Sequence, residues 1–143
     1  MASSNNLLDS CSFRSREKKE CSDSRGKTAF VKLFECNKDL GNHLASCHLP
    51  RTLHEYEVIL ARTGYFQWND NLVKNMVICP LHRDNLGQFW RGPTSCQYPT
   101  HAGKSKRVRD HHIINLQIAE EIMQIYGVII QIGSRKYFIF VML

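Results

Sequence analysis

The stretch 79-CPLHRDNLGQFWRGPTSCQYPTH-101 decides how the chain is read. It places two close Cys/His pairs, Cys79 with His82 and Cys96 with His101, in the spacing C-x2-H-x13-C-x4-H. Two thiolates and two imidazoles on one loop are how a single chain wraps a tetrahedral Zn2+ ion. Four protein donors leave no position for water, whereas catalytic zinc keeps one open, so the expected site is structural. Pro80 favours a tight turn through the first pair, and Pro99 stiffens the return to His101. Leu86, Phe89 and Trp90 are expected to cover the ion. The segment from Leu86 to Val108 carries Gly87, Gly92, Pro93, Pro99 and Gly103, so it has little regular structure to hold it without a metal. The competing reading is a buried cysteine pair with two surface histidines.

Regular elements lie on both sides of this loop. Thr52 and Glu55 form a T-x-x-E capping box; Leu53, Tyr56, Ile59 and Leu60 share one helical face, and Gly64 is the stop, which predicts a helix over 52 to 63. Asn69 or Asp70 caps a short helix carrying Leu72, Val73, Met76 and Val77, ended by Cys79-Pro80. Thr28 to Phe34 reads as a short strand and Lys38 to Ala45 as a short helix. Downstream, Asp110 caps a helix from His111 to Tyr126 with the stripe Ile114, Ile118, Ile122 and Ile125, and Gly127 ends it. The expected fold class is α+β: a small, irregular, α-rich, zinc-stapled domain.

The 143 residues suit one domain. Residues 1 to 27 are serine-rich and charged, and are expected to form a disordered arm in which Cys11 and Cys21 are exposed thiols without a role. The domain then spans 28 to 127. Residues 128 to 143 (VIIQIGSRKYFIFVML) read either as a hydrophobic tail that does not belong to the core or as a terminal hairpin packed on it, turning at Gly133 to Lys136. The N-terminus has no apolar run of signal-peptide length and no segment reaches the roughly twenty residues of a membrane span, so reduced, metal-available thiols and no membrane partner are expected.

A second ligand set is weaker. Phe34-x5-Leu40-x2-His43-x3-Cys47 resembles the helical half of a Cys2His2-type zinc finger, which implies a miniature core from Phe34 and Leu40 with His43 and Cys47 as ligands. Lys27 and Phe30 stand where that family has its first two cysteines. Cys36 and His48 are nearby replacements, and His54 is a further one. The alternative is a helix with a buried Cys47 and exposed histidines. The Cys79 to His101 loop itself resembles Cys/His knuckles of zinc-finger and treble-clef domains in spacing alone.

The net charge of +6 and pI of about 9.1 favour phosphate-rich partners. Arg91, Lys104, Lys106, Arg107 and Arg109 supply a basic segment; Lys106 to Arg109 (KRVR) also fits a short nuclear-import pattern, which favours a nuclear over a cytoplasmic location. Asp110-His111-His112-Ile113 looks like the core of an HNH nuclease, but the distant asparagine and histidine are missing. Phosphate loops and hydrolase signatures are absent, so no enzyme or small-molecule substrate is expected. Two functions remain: a structural-zinc module contacting nucleic acid or chromatin, or a zinc-stabilised protein-interaction module.

Overall fold

The computed structural model describes residues 11–14, 20–92 and 112–136. Among the described residues, short helices and two two-stranded antiparallel sheets make a small α+β fold. The chain divides into two compact units, Met1–Leu40 with Leu53–Trp90, and Gly41–Thr52 with Arg91–Leu143.

In the first unit, β1 (Val31–Lys32) pairs antiparallel with β2 (Val77–Ile78), Val31 facing Ile78. The expected strand over 28 to 34 is shorter because Leu33–Glu35 turns into a 3-10 helix, which carries Leu33 into the core. The helix predicted over 52 to 63 is α2 (Glu55–Arg62), following the shorter α1 (Gly41–Ser46) of the other unit. Its first residue is two places later than a Thr52 cap allows. His54 is the N-cap, and its backbone N–H donates to Glu57 Oε1 (2.8 Å). Glu55 does other work: its carboxylate accepts from the Lys38 backbone N–H (2.8 Å) and from Arg83 Nε and Nη2 (2.8 and 2.9 Å).

Helix α3 (Asp70–Lys74) is capped by Asn69, whose side chain accepts from the Leu72 N–H (2.9 Å). It stops before Met76 because Val77 and Ile78 leave to pair with β1. Cys79-Pro80 does not end that helix but starts α4 (Pro80–Leu86), with Cys79 as N-cap and proline at the first helical position, where no N–H is missed. Ile59 and Leu60 from α2, Val73 from α3 and Leu86 from α4 meet Leu33, Met76 and Ile78 in one core. Cys11 and Phe13 join it, so Cys11 is buried rather than an exposed thiol of an arm. Arg62 ends α2 almost wholly buried; its guanidinium lies 3.9 Å over the Trp90 ring and donates to the Leu86 carbonyl (2.8 Å), an orphan acceptor at the end of α4.

In the second unit, α5 (Leu116–Tyr126) starts at Asn115, whose side chain accepts from the Ile118 N–H (2.9 Å), and ends at Gly127 in the left-handed conformation (φ 70°). The expected cap Asp110 lies outside the described residues. Of the expected stripe, Ile114 and Ile122 are buried, whereas Ile125 is 69% exposed. Of the expected hairpin, 128 to 132 form no strand, Arg135–Lys136 of the expected turn form β4, which pairs with β3 (His112–Ile113), and 137 to 143 lie outside the described residues. Gly133 at φ 93° makes the turn into β4, and Ile132 and Ser134 beside it are buried.

Candidate metal centre

Cys79 and His82 occupy the N-cap and third helical positions of α4, one turn apart, which aims both side chains at the same point. The backbone N–H of His82 donates to Cys79 Sγ (3.4 Å), satisfying a donor that the helix start leaves free. The backbone N–H of Cys79 donates in turn to Cys11 Sγ (3.4 Å).

Two earlier segments bring the remaining donors. Ser12 binds β2 through its own N–H to the Val77 carbonyl (2.7 Å) and through its Oγ, which accepts from the Val77 N–H (3.0 Å). This docks Cys11 beside Cys79. The Leu81 N–H donates to the Ser22 carbonyl (3.1 Å), which fixes Cys21 beside the start of α4. After it the chain reverses at Ser24 to Lys27, where Arg25 and Gly26 both have positive φ (50° and 80°) and Ser24 and Lys27 exchange two backbone hydrogen bonds. Asp84 of α4 anchors that turn by accepting from Ser24 Oγ (2.7 Å).

The result is a cluster of Cys11, Cys21, Cys79 and His82 whose ligand atoms all lie within 4.8 Å of one another. Cys11 Sγ is 3.4 Å and Cys21 Sγ 3.9 Å from His82 Nδ1. A tetrahedral zinc with bonds of about 2.3 Å to sulfur and 2.0 Å to nitrogen would separate a sulfur from a nitrogen ligand by about 3.5 Å, near both of these distances. Cys11, Cys79 and His82 are buried and Cys21 is half-buried.

The electrostatics favour one thiolate before any metal arrives. The Cys11 thiol, donating to Cys79 Sγ, holds Cys79 down to about 3 against the cost of its burial, assisted by His82 and by the backbone N–H of His82. The same interaction and burial push Cys11 well above the usual thiol range, and burial followed by the nearby Cys79 sulfur raises Cys21. A negative sulfur with two further thiols and an imidazole around it is a soft donor set, suited to zinc and unsuited to calcium or magnesium.

Of the residues expected in the main site, Cys79 and His82 stand in this cluster, while Cys96 and His101 lie outside the described residues. Cys11 and Cys21, given no role from sequence, stand with them. Two sequence signals were available, Phe13 beside Cys11 and Arg25-Gly26 after Cys21, within an otherwise serine-rich and charged stretch. The expected cover also differs: Leu86 is in the core and Trp90 under Arg62, but Phe89 is 38% exposed, with the Arg25 guanidinium 3.6 Å above its ring.

The second set does not assemble among the described residues. Cys36 is fully buried in the first unit; burial pushes its thiol up to about 12, and it donates to the Lys32 carbonyl (3.8 Å). His43 and Cys47 do meet, with Nε2 and Sγ 3.9 Å apart, and His48 follows at φ 57°. Of the basic segment, Arg91 is exposed, and Lys104, Lys106, Arg107 and Arg109 lie outside the described residues. No described helix is long and apolar enough to cross a membrane. No protein-family model, curated protein or solved structure matches the chain.

Proposed function

We propose that the chain is a non-catalytic structural-zinc module in which Cys11, Cys21, Cys79 and His82 hold one Zn2+ ion. The observation that carries this is the meeting of three thiols and an imidazole from three separated segments within 4.8 Å. Four protein donors complete a tetrahedral shell and leave no position for a water nucleophile. The ion would tie the segments around Cys11 and Cys21 to the start of α4, and its binding energy would then be folding energy for this unit. Purified protein should contain zinc, and a chelator should lower its thermal midpoint; a metal-free protein of unchanged stability would overturn the reading.

The partner we propose is nucleic acid or chromatin, in the nucleus. The support is the net charge of +6, the basic residues Arg91, Lys104, Lys106, Arg107 and Arg109, and further exposed cations at Arg25, Lys27 and Lys32. Binding to non-specific double-stranded DNA or RNA should fall steeply as salt rises from about 50 to 200 mM, because each phosphate contact releases counterions.

A protein-interaction module is the second reading. It is favoured by exposed apolar residues on and after α5: Leu116, Ile125, Tyr126, Val128 and Ile129. Salt-insensitive binding to a protein, with none to nucleic acid, would select it.

A further inference from the structure

The 3-10 helix Leu33–Glu35 sends consecutive side chains to opposite environments: Leu33 is fully buried, while Phe34 is 46% exposed. The Leu33 N–H donates to the Met76 carbonyl (2.9 Å), which holds this turn beside α3. There the Phe34 and Tyr56 rings meet edge to face, with centroids 5.7 Å apart and planes at 87°, and Tyr56 meets Trp68 at 5.7 Å and 73°. His54, the exposed cap of α2, lies parallel to Tyr56 at 5.4 Å. Tyr56 and Trp68 pack inward on the core but are only half-buried. Apolar side chains exposed singly need no partner, whereas a contiguous row of four rings marks a contact surface.

The charges acting on Tyr56, at the centre of this row, are negative. Glu57 stands beside it in the first turn of α2, Asp70 opens α3 two residues after Trp68, and the exposed Glu35 follows Phe34. Burial, then the carboxylates of Glu57 and Asp70, raise the Tyr56 hydroxyl above its usual range. An aromatic face attracts cations, and a guanidinium stacks on a ring while its N–H groups pair with a carboxylate. The first unit uses that stacking twice internally, with Arg25 3.6 Å over Phe89 and Arg62 3.9 Å over Trp90. Nucleic-acid bases would stack on the same rings, but their phosphates would meet the carboxylates.

We propose that Phe34, Tyr56 and Trp68, flanked by Glu35, Glu57 and Asp70, form a docking surface for an arginine-bearing segment of a partner protein. None of these residues belongs to the metal cluster or to the basic segment assigned to nucleic acid, so this surface is tested separately from both.

The experiment is fluorescence anisotropy of the full chain with a labelled peptide of alternating arginine and glycine. The wild-type chain should bind it about three- to ten-fold more tightly than the matched lysine peptide, because charge is equal and only the stacking differs. Phe34→Ala and Trp68→Ala should each weaken the arginine peptide by about the same factor. Phe34→Ala removes an exposed ring, so its thermal midpoint should stay at the wild-type value. The double variant Glu57→Gln/Asp70→Asn should weaken both peptides alike. Absence of binding to the wild-type chain, equal affinity for the two peptides, or undiminished binding in Phe34→Ala would each overturn the proposal. A single-stranded oligonucleotide that binds the wild-type chain and is lost in Phe34→Ala would give the rings to bases and overturn it as well. The comparison of the two peptides on the wild-type chain does not depend on any variant folding.

Discussion

The sulfur of Cys11 lies 3.4 Å from Nδ1 of His82, seventy-one positions further along the chain. A contact of that sequence separation closes a large loop, and a metal bridging it would add most of its binding energy to folding. Cys11→Ser and Cys21→Ser should each release the ion of this site and lower the stability of the first unit by several kcal/mol, on the order of what structural zinc supplies. Metal content and thermal denaturation measure this; retention of the ion in both variants would remove these two residues from the site.

Zinc affinity should depend on pH in a defined direction. Cys79 is already a thiolate at neutral pH, whereas Cys11 and Cys21 keep protons that the ion must displace. Raising the pH below the raised thiol values of those two residues therefore favours binding, and lowering it opposes binding. Loss of two protons corresponds to about 100-fold in apparent affinity per pH unit. Chelator competition between about pH 7.5 and 8.5 reads the slope; a pH-independent affinity would contradict the proton assignment.

Glu55 is 1% exposed and bound on both carboxylate oxygens, by Arg83 and by the Lys38 N–H. Replacing it by Gln leaves the guanidinium partly buried and without its counter-charge. A loss of roughly 3 kcal/mol is expected, against under about 1 kcal/mol for Glu57→Gln at the helix start. Urea denaturation of the two variants compares them directly. Equal losses would show that the Arg83 pair contributes no more than a cap.

Gly87 packs where a side chain has no room: a Cβ there would stand 2.9 Å from the Arg83 carbonyl oxygen. That oxygen is backbone and already accepts the Gly87 N–H, so it cannot move without opening the end of α4. Gly87→Ala should cost about 1–3 kcal/mol. Gly127→Ala meets open space and should cost only about 1 kcal/mol, through its positive φ. Reversal of this order in denaturation experiments would show that the α4 terminus yields more readily than its geometry indicates.

Local signals were legible wherever short-range chemistry decides the backbone. Asn69 capping α3, Gly127 ending α5, the burial of Ile59 and Leu60, and the α+β class follow from capping, left-handed glycine and periodicity, which act within a few residues. Cys79 and His82 as a pair are local in the same sense, because one helical turn brings them together. Glu55 shows where such reading ends: the T-x-x-E pattern was present, but a partly buried guanidinium twenty-eight positions away offers a carboxylate more than a helix cap does. Which donors stand beside Cys79 was likewise tertiary. Spacing points to the nearest downstream pair, whereas the docking of Ser12 on Val77 and of Ser22 on Leu81 brings Cys11 and Cys21 from far upstream in the chain. The sequence by itself therefore determined that thiols and imidazoles were available in metal-binding number; the tertiary structure decided which of them meet, because ligand distance is set by the packing of segments and not by their separation along the chain.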